Sequence, residues 1–148
     1  MSTPAFLRRL ERDTRVRLKP SSVCDGIGVF AIQPIAVGTD IFPGIRADVP
    51  TRFISDEELA SVECEEVRRM VTDFCLQRVE GGKAGRWVYT DLFCMMDMSF
   101  YLNSAEEGLG ANVQMYHDPR STLCAFRALR DIAKDEELLF DYNKAPAQ

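Results

Sequence analysis

Several short stretches of this chain carry side chains that could do chemistry. Near the C-terminus, Glu136, Glu137 and Asp141 precede Tyr142 in "EELLFDY". Neighbouring carboxylates can divide acid and base roles when their surroundings push their pKa values apart. A solvated turn followed by strand alternation explains the same spacing, and Tyr142 then reads as a core aromatic. In the middle, "YLNSAEEGLGANV" sets Asn103 at the end of an apolar run and Asn112 nine residues later. Gly108 and Gly110 permit backbone conformations closed to other residues. The stretch is a surface loop, or a binding loop whose amide groups face a ligand. Asn103-Ser104-Ala105 is no glycosylation sequon, because its third residue is neither Ser nor Thr.

Closer to the N-terminus, "GIGVFA" at 26–31 has the G-x-G-x-x-A spacing of a dinucleotide fingerprint. That motif needs a helix directly after the glycines to hold pyrophosphate. Val29, Phe30 and Ile32 favour strand, and Pro34 blocks a helix. The stretch therefore reads as a tight turn between strands, or as a turn whose exposed amides meet a ligand. The five cysteines, Cys24, Cys64, Cys75, Cys94 and Cys124, are spread widely with no C-x-x-C pair. They support neither a zinc site nor a disulfide framework. The single His117 cannot build a His-based metal site alone and reads as a strand-end residue. No metal is expected.

These residues must be positioned by short elements. "TRVRLKPS" alternates Val16 and Leu18 with basic residues, a half-buried strand pattern. "GVFAI" and "DIFPGI" are further short strands punctuated by Gly and Pro. Ser55 and Glu58 form a capping-box pattern ahead of one helix at about 56–78. Its apolar stripe is Leu59, Val62, Val67, Met70, Val71 and Phe74. Gly81-Gly82 ends it. "RWVYTD" and "ANVQMYH" read as strands, and Asp118-Pro119 marks the turn of a hairpin. "DIAKDEELLFDY" runs from a polar turn into an apolar strand. The fold class is mainly β with one inserted helix.

The chain of 148 residues is long enough for one domain with a real core. Hydrophobic residues make up 46% and charged residues 28%, an ordinary globular balance. The net charge of -5 argues against nucleic acid as a primary partner. Residues 1–20 are basic, whereas 56–73 and 131–141 are acidic and would suit a cationic peptide. No apolar run spans a bilayer, and "MSTPAFLRRLERD" lacks the apolar region of a secretory signal. A cytoplasmic or nuclear protein with reduced thiols is expected.

Three stretches in order resemble one family. "GIGVFAIQPIAVGTDIFPG", "MSFYLNSAEEGLGANV" and "FRALRDIAKDEELLFDYN" are similar to the opening, Asn-containing and closing segments of the SET domain, the fold of many protein lysine methyltransferases. The resemblance covers about 15–143 within a single domain, 1–148, and lacks the zinc-binding flanks of many relatives. It implies small twisted β-sheets around a knot-like crossing, where the C-terminal strand threads under the Asn-containing loop. It implies S-adenosylmethionine as cofactor and a lysine-containing protein or peptide, histone among them, as substrate. Residue by residue, it implies cofactor contacts from Gly26, Ile27, Gly28, Phe100, Tyr101, Asn103, Ser104 and Tyr142. Tyr142 matches the catalytic Tyr. Phe140 matches the position that influences how many methyl groups are added. Asn112 matches an Asn that helps hold the crossing.

The chain departs from the family pattern at Ser104 (usually His), Ala111 (usually Pro), Asp135 (usually Gly) and in the Asn103–Asn112 spacing, commonly six. A catalytically inactive module that binds peptide or cofactor is the second reading. With six residues after Tyr142, a homodimer partner or the substrate would close the lysine channel.

Overall fold

The alternation of Val16 and Leu18 with Arg17 and Lys19 forms a strand, β1 (Val16–Pro20), and the loop 21–26 leads into β2 (Ile27–Ala31), which takes in Ile27 and Gly28 of the expected tight turn. The two pair antiparallel, Leu18 opposite Val29. The computed structural model describes residues 1–42, 51–89, 97–105, 110–117 and 124–144. The chain divides into two compact units, Met1–Arg46 with Asp97–Gln148, and Ala47–Met96.

In the first unit, β6 (Asn103–Ser104), β7 (Val113–His117), β8 (Cys124–Ala128) and β9 (Glu137–Phe140) complete two sheets. One runs β1-β2-β9-β6, and the other is the β7-β8 hairpin. β9 pairs antiparallel with β2 and parallel with β6, so it has no free edge. All four of its residues are buried, where a half-buried strand would alternate. Among the described residues, Ile41, Leu102, Ile132, Leu138, Val29 and Val113 are the largest fully buried side chains. The segment after β2 makes isolated antiparallel bridges, Ile35 to Ile132 and Asp40 to Arg127, and residues 43–45 of the expected strand "DIFPGI" lie outside the described residues. The Asp118-Pro119 turn lies outside the described residues, but β7 and β8 pair as the expected hairpin.

A helix that sequence reading missed, α1 (Thr3–Asp13), precedes β1. Pro4 sits in its first turn, where a missing N–H costs nothing. It buries no residue, and Phe6, Leu7 and Leu10 stay exposed. That is why no apolar stripe facing a core announced it.

In the second unit, β3 (Thr51–Ser55), β5 (Lys83–Tyr89) and β4 (Gln77–Glu80) form an antiparallel sheet in the order β3-β5-β4. The expected helix at 56–78 is two helices, α2 (Asp56–Ala60) and α3 (Glu65–Phe74). The capping box forms: the Glu58 amide donates to Ser55 Oγ and the Ser55 amide to the Glu58 carboxylate. The helix breaks because the Val62 and Glu63 carbonyls leave the helical ladder, and the Arg68 guanidinium takes both. Gly81-Gly82 does not end the helix. Both glycines have positive φ (54° and 77°), and they turn the β4-β5 hairpin. Among the described residues no helix is long and apolar enough to cross a membrane.

Candidate functional site

The position of β9 decides which side chains meet. The segment from Asn103 to Asn112 grips it at both ends. At one end, Asn103 and Ser104 pair with Leu139 and Phe140, and the Ala105 amide donates to the Phe140 carbonyl at 3.0 Å. At the other end, the Asn112 amide donates to the Leu139 carbonyl at 3.0 Å. The Asn112 side chain completes the clasp. Its Oδ1 accepts from the Leu139 amide at 2.8 Å, and its Nδ2 donates to the Glu137 carbonyl at 2.8 Å. Asn112 is 2% exposed. The middle of this segment, 106–109, lies outside the described residues.

Past β9, Tyr142 returns to the start of the same segment. Its hydroxyl donates to the Leu102 carbonyl at 2.6 Å, directly before Asn103. Burial pushes the Tyr142 phenol above its usual pKa, with a smaller push from Cys24. The hydroxyl therefore stays neutral, and its lone pairs remain free to accept. Phe140 stacks beside it, with ring centroids 4.7 Å apart, and meets Phe126 at 5.2 Å.

The turn before β2 reaches the same place. Asn103 Nδ2 donates to the Ile27 carbonyl at 3.0 Å, to a Glu137 oxygen at 3.1 Å and to Ser21 Oγ at 3.2 Å. A carbonyl and a carboxylate can only accept, so the orientation of this amide is fixed. Among the described residues, Oδ1 of Asn103 takes no bond. Gly26 and Ile27 are exposed and Gly28 is buried. Phe100 and Tyr101 lie in a 3-10 turn, Met98–Tyr101, capped by Asp97, which accepts from the Ser99 amide at 2.9 Å. That turn packs against β2. Ser104 is half-buried in β6.

Glu137 corrects the reading of "EELLFDY" as a solvated turn. It is 7% exposed. Its carboxylate accepts from Ser21 Oγ (2.7 Å), the Ser22 amide (2.8 Å), Ser22 Oγ (2.5 Å) and Asn103. Burial pushes its pKa up, but the donors from Ser22, Ser21 and Asn103 outweigh it and hold the carboxyl below its ordinary value. Glu136 faces Arg130 instead, whose guanidinium bonds it and lowers its pKa. The two carboxylates thus serve separate structural networks, not one acid–base pair.

The SET-domain family model matches residues 26–143. The chain belongs to the SET-domain family. No curated protein matches it. Among solved structures, the SET fold recurs in the methyltransferase domain of human PR domain-containing protein 2, at 22% identity and a TM-score of 0.55, over 89% of this chain and 79% of that one. A Plasmodium falciparum candidate histone methyltransferase aligns at 20% identity and a TM-score of 0.51, over 89% of this chain and 96% of that one. A humanised mutant of the Chaetomium thermophilum Polycomb Repressive Complex 2, bound to the inhibitor GSK126, aligns at 25% identity and 0.52, over 86% of this chain and 15% of that one.

This SET domain brings Ile27, Gly28, Asn103 and Tyr142 to one place, with Phe140 beside Tyr142. Asp135, which stands where the family pattern has Gly, takes a left-handed φ of 69°. Asp tolerates that region better than most side chains do. Sequence reading missed the part played by Ser21, Ser22 and Glu137. One signal was available: Leu138-Leu139-Phe140 is a continuous apolar run, so the strand is buried on both faces and its first residue enters the core.

Gly28 is fixed by this packing. A Cβ there would stand 2.1 Å from Glu137 Oε1 and 3.3 Å from Asn103 Nδ2. Glu137 is pinned and cannot swing aside freely. Gly28→Ala is expected to cost about 1–3 kcal/mol of stability, read as a lower denaturant midpoint. An unchanged midpoint would show that Glu137 moves without cost.

Proposed function

We propose that this chain is a protein-lysine N-methyltransferase that uses S-adenosylmethionine. One observation carries the reading: the Tyr142 hydroxyl sits on the Leu102 carbonyl, beside an Asn103 side-chain amide that is fixed on Ile27, the first residue of β2, directly after Gly26. The three motifs named by the resemblance thus meet, although 39 residues separate Asn103 from Tyr142. The donor set also fits the cofactor. The Asn103 Oδ1, which takes no bond among the described residues, can accept from its α-ammonium group, and Gly26 and Ile27 beside it are exposed.

When bound, the cofactor supplies an electrophilic sulfonium methyl group. The protein's work is alignment and water exclusion. The lysine nitrogen must be neutral to attack. At pH 7 a lysine with its ordinary pKa costs about 4.6 kcal/mol to deprotonate. Desolvation against the rings of Phe140 and Tyr142 lowers that cost. The Tyr142 lone pairs orient the amine. Its own proton stays on the phenol oxygen, donated to the Leu102 carbonyl, so Tyr142 is a positioning hydroxyl rather than the base.

The test is methyl transfer from labelled S-adenosylmethionine to histones and to lysine peptides, with mass spectra of the product. Transfer to lysine is the expected result, and its absence across these substrates sinks the reading. Phe140 carries no hydroxyl, so products beyond monomethyl-lysine are expected, and Phe140→Tyr is expected to shift them toward monomethyl. A wild-type product that stops at monomethyl-lysine contradicts this.

The second reading, an inactive module, draws on Ser104 and on the nine-residue Asn103–Asn112 spacing. Calorimetry separates the two readings. Cofactor binding without transfer to any substrate favours the module.

A further inference from the structure

We propose that Glu137 is a positioning residue for the cofactor side of the site. It holds the turn at 21–26 and the Asn103 side-chain amide in one register. This rests on the reading above, that this turn and Asn103 receive S-adenosylmethionine.

Glu137 joins three segments that are far apart in sequence. It is the first residue of β9, Ser21 and Ser22 open the turn, and Asn103 opens β6. One carboxylate oxygen accepts from Ser21 and Asn103, the other twice from Ser22. Ser21 relays the constraint along the turn, because its Oγ also accepts from the Val23 amide at 3.1 Å and its own amide donates to the Gly26 carbonyl at 2.8 Å. The position of Gly26 is therefore set from Glu137 through two hydrogen bonds.

A buried carboxylate is a costly way to fill space. The next three residues of β9 are apolar, and packing alone would be served by a fourth. What an apolar residue cannot do is orient Asn103. The carboxylate and the Ile27 carbonyl together hold Nδ2 and leave Oδ1 for a ligand. Gly28 supplies the room: any Cβ at 28 would overlap the carboxylate. Sequence, packing and hydrogen bonding agree on a charge at this point.

Glu137→Gln tests the proposal. Either amide orientation sets an N–H against a donor: against Ser22, or against Asn103, which could adapt only by giving up the Ile27 carbonyl. Ser22→Ala is milder, since Ser22 is exposed and, among the described residues, its side chain bonds only Glu137. Calorimetry with S-adenosylhomocysteine is expected to show binding weakened about tenfold or more in Glu137→Gln and a few-fold in Ser22→Ala. In steady-state kinetics the KM for S-adenosylmethionine rises while the KM for a lysine peptide holds. In the ligand-free protein, hydrogen exchange at the Ser22 amide quickens in Glu137→Gln. If Glu137→Gln does not fold, Ser22→Ala decides. Wild-type affinity in the folded variants, or a fall in thermal midpoint with affinity unchanged, overturns the proposal and leaves the proposed function standing. A wild-type protein that binds no cofactor overturns both.

Discussion

Tyr142→Phe is expected to lower methyl transfer by roughly 100-fold while cofactor affinity holds within about twofold. The substitution removes one oxygen and keeps the ring against Phe140. The lost bond is the 2.6 Å donation to the Leu102 carbonyl. A single neutral hydrogen bond contributes about 1 kcal/mol to stability, so the variant is expected to remain folded. The rate effect is larger because the hydroxyl is fixed before the substrate arrives. Its proton is committed to a backbone carbonyl, so the lone pairs point one way, and the amine that meets them is aligned without further ordering.

The pH dependence separates this role from base catalysis. Burial raises the Tyr142 pKa, so the phenol keeps its proton up to a pH above the ordinary value near 10. A base at Tyr142 would require the opposite shift. The wild-type rate is expected to rise with pH as the substrate lysine loses its proton, and residual Tyr142→Phe activity is expected to rise in parallel. A profile whose rising limb vanishes in Tyr142→Phe would make the phenolate the base. A variant with wild-type turnover would remove Tyr142 from the mechanism.

What the sequence discloses depends on how local the physics is. The Ser55 capping box and the β7-β8 hairpin rest on neighbouring residues, and both were legible. The break between α2 and α3 depends on Arg68 reaching back to two carbonyls, a contact that no periodicity reports. α1 buries nothing, so its residues left no core-facing pattern. The meeting of Asn103 and Tyr142 came from motif order, because no local rule links residues so far apart. Glu137 shows the limit most sharply. Its type suggested a solvated turn, and only the three segments folded around it make burial of the charge tolerable. Family resemblance named the motifs, while the carboxylate that ties two of them together had to be found in the packing.

The clasp on β9 leads to the second large effect. Asn112→Ala is expected to destabilise the protein by about 2–5 kcal/mol, read from denaturant midpoints. The side chain is buried and acts as donor and acceptor on one strand. Truncation strands the Leu139 amide and weakens the hold on the Glu137 carbonyl, both on buried residues of β9. Each buried polar group left without a partner costs about 1–3 kcal/mol. Asn112→Asp discriminates between space-filling and hydrogen bonding. Asp keeps the size and the acceptor for Leu139, but it cannot donate to the Glu137 carbonyl, and it sets a carboxylate beside the Glu136 side chain, which Asn112 Nδ2 now faces at 3.2 Å. If the clasp works by hydrogen bonding, Asp is expected to be nearly as damaging as Ala. If Asn112 only fills space, Asp is tolerated and Ala is not. The position of Leu139 fixes Phe140 and, two residues on, Tyr142. Loss of the clasp is therefore expected to abolish transfer at temperatures where the rest of the protein is still folded, seen as an activity midpoint below the midpoint of global unfolding. Coincident midpoints would mean that β9 is held well enough by β2 and β6 without Asn112.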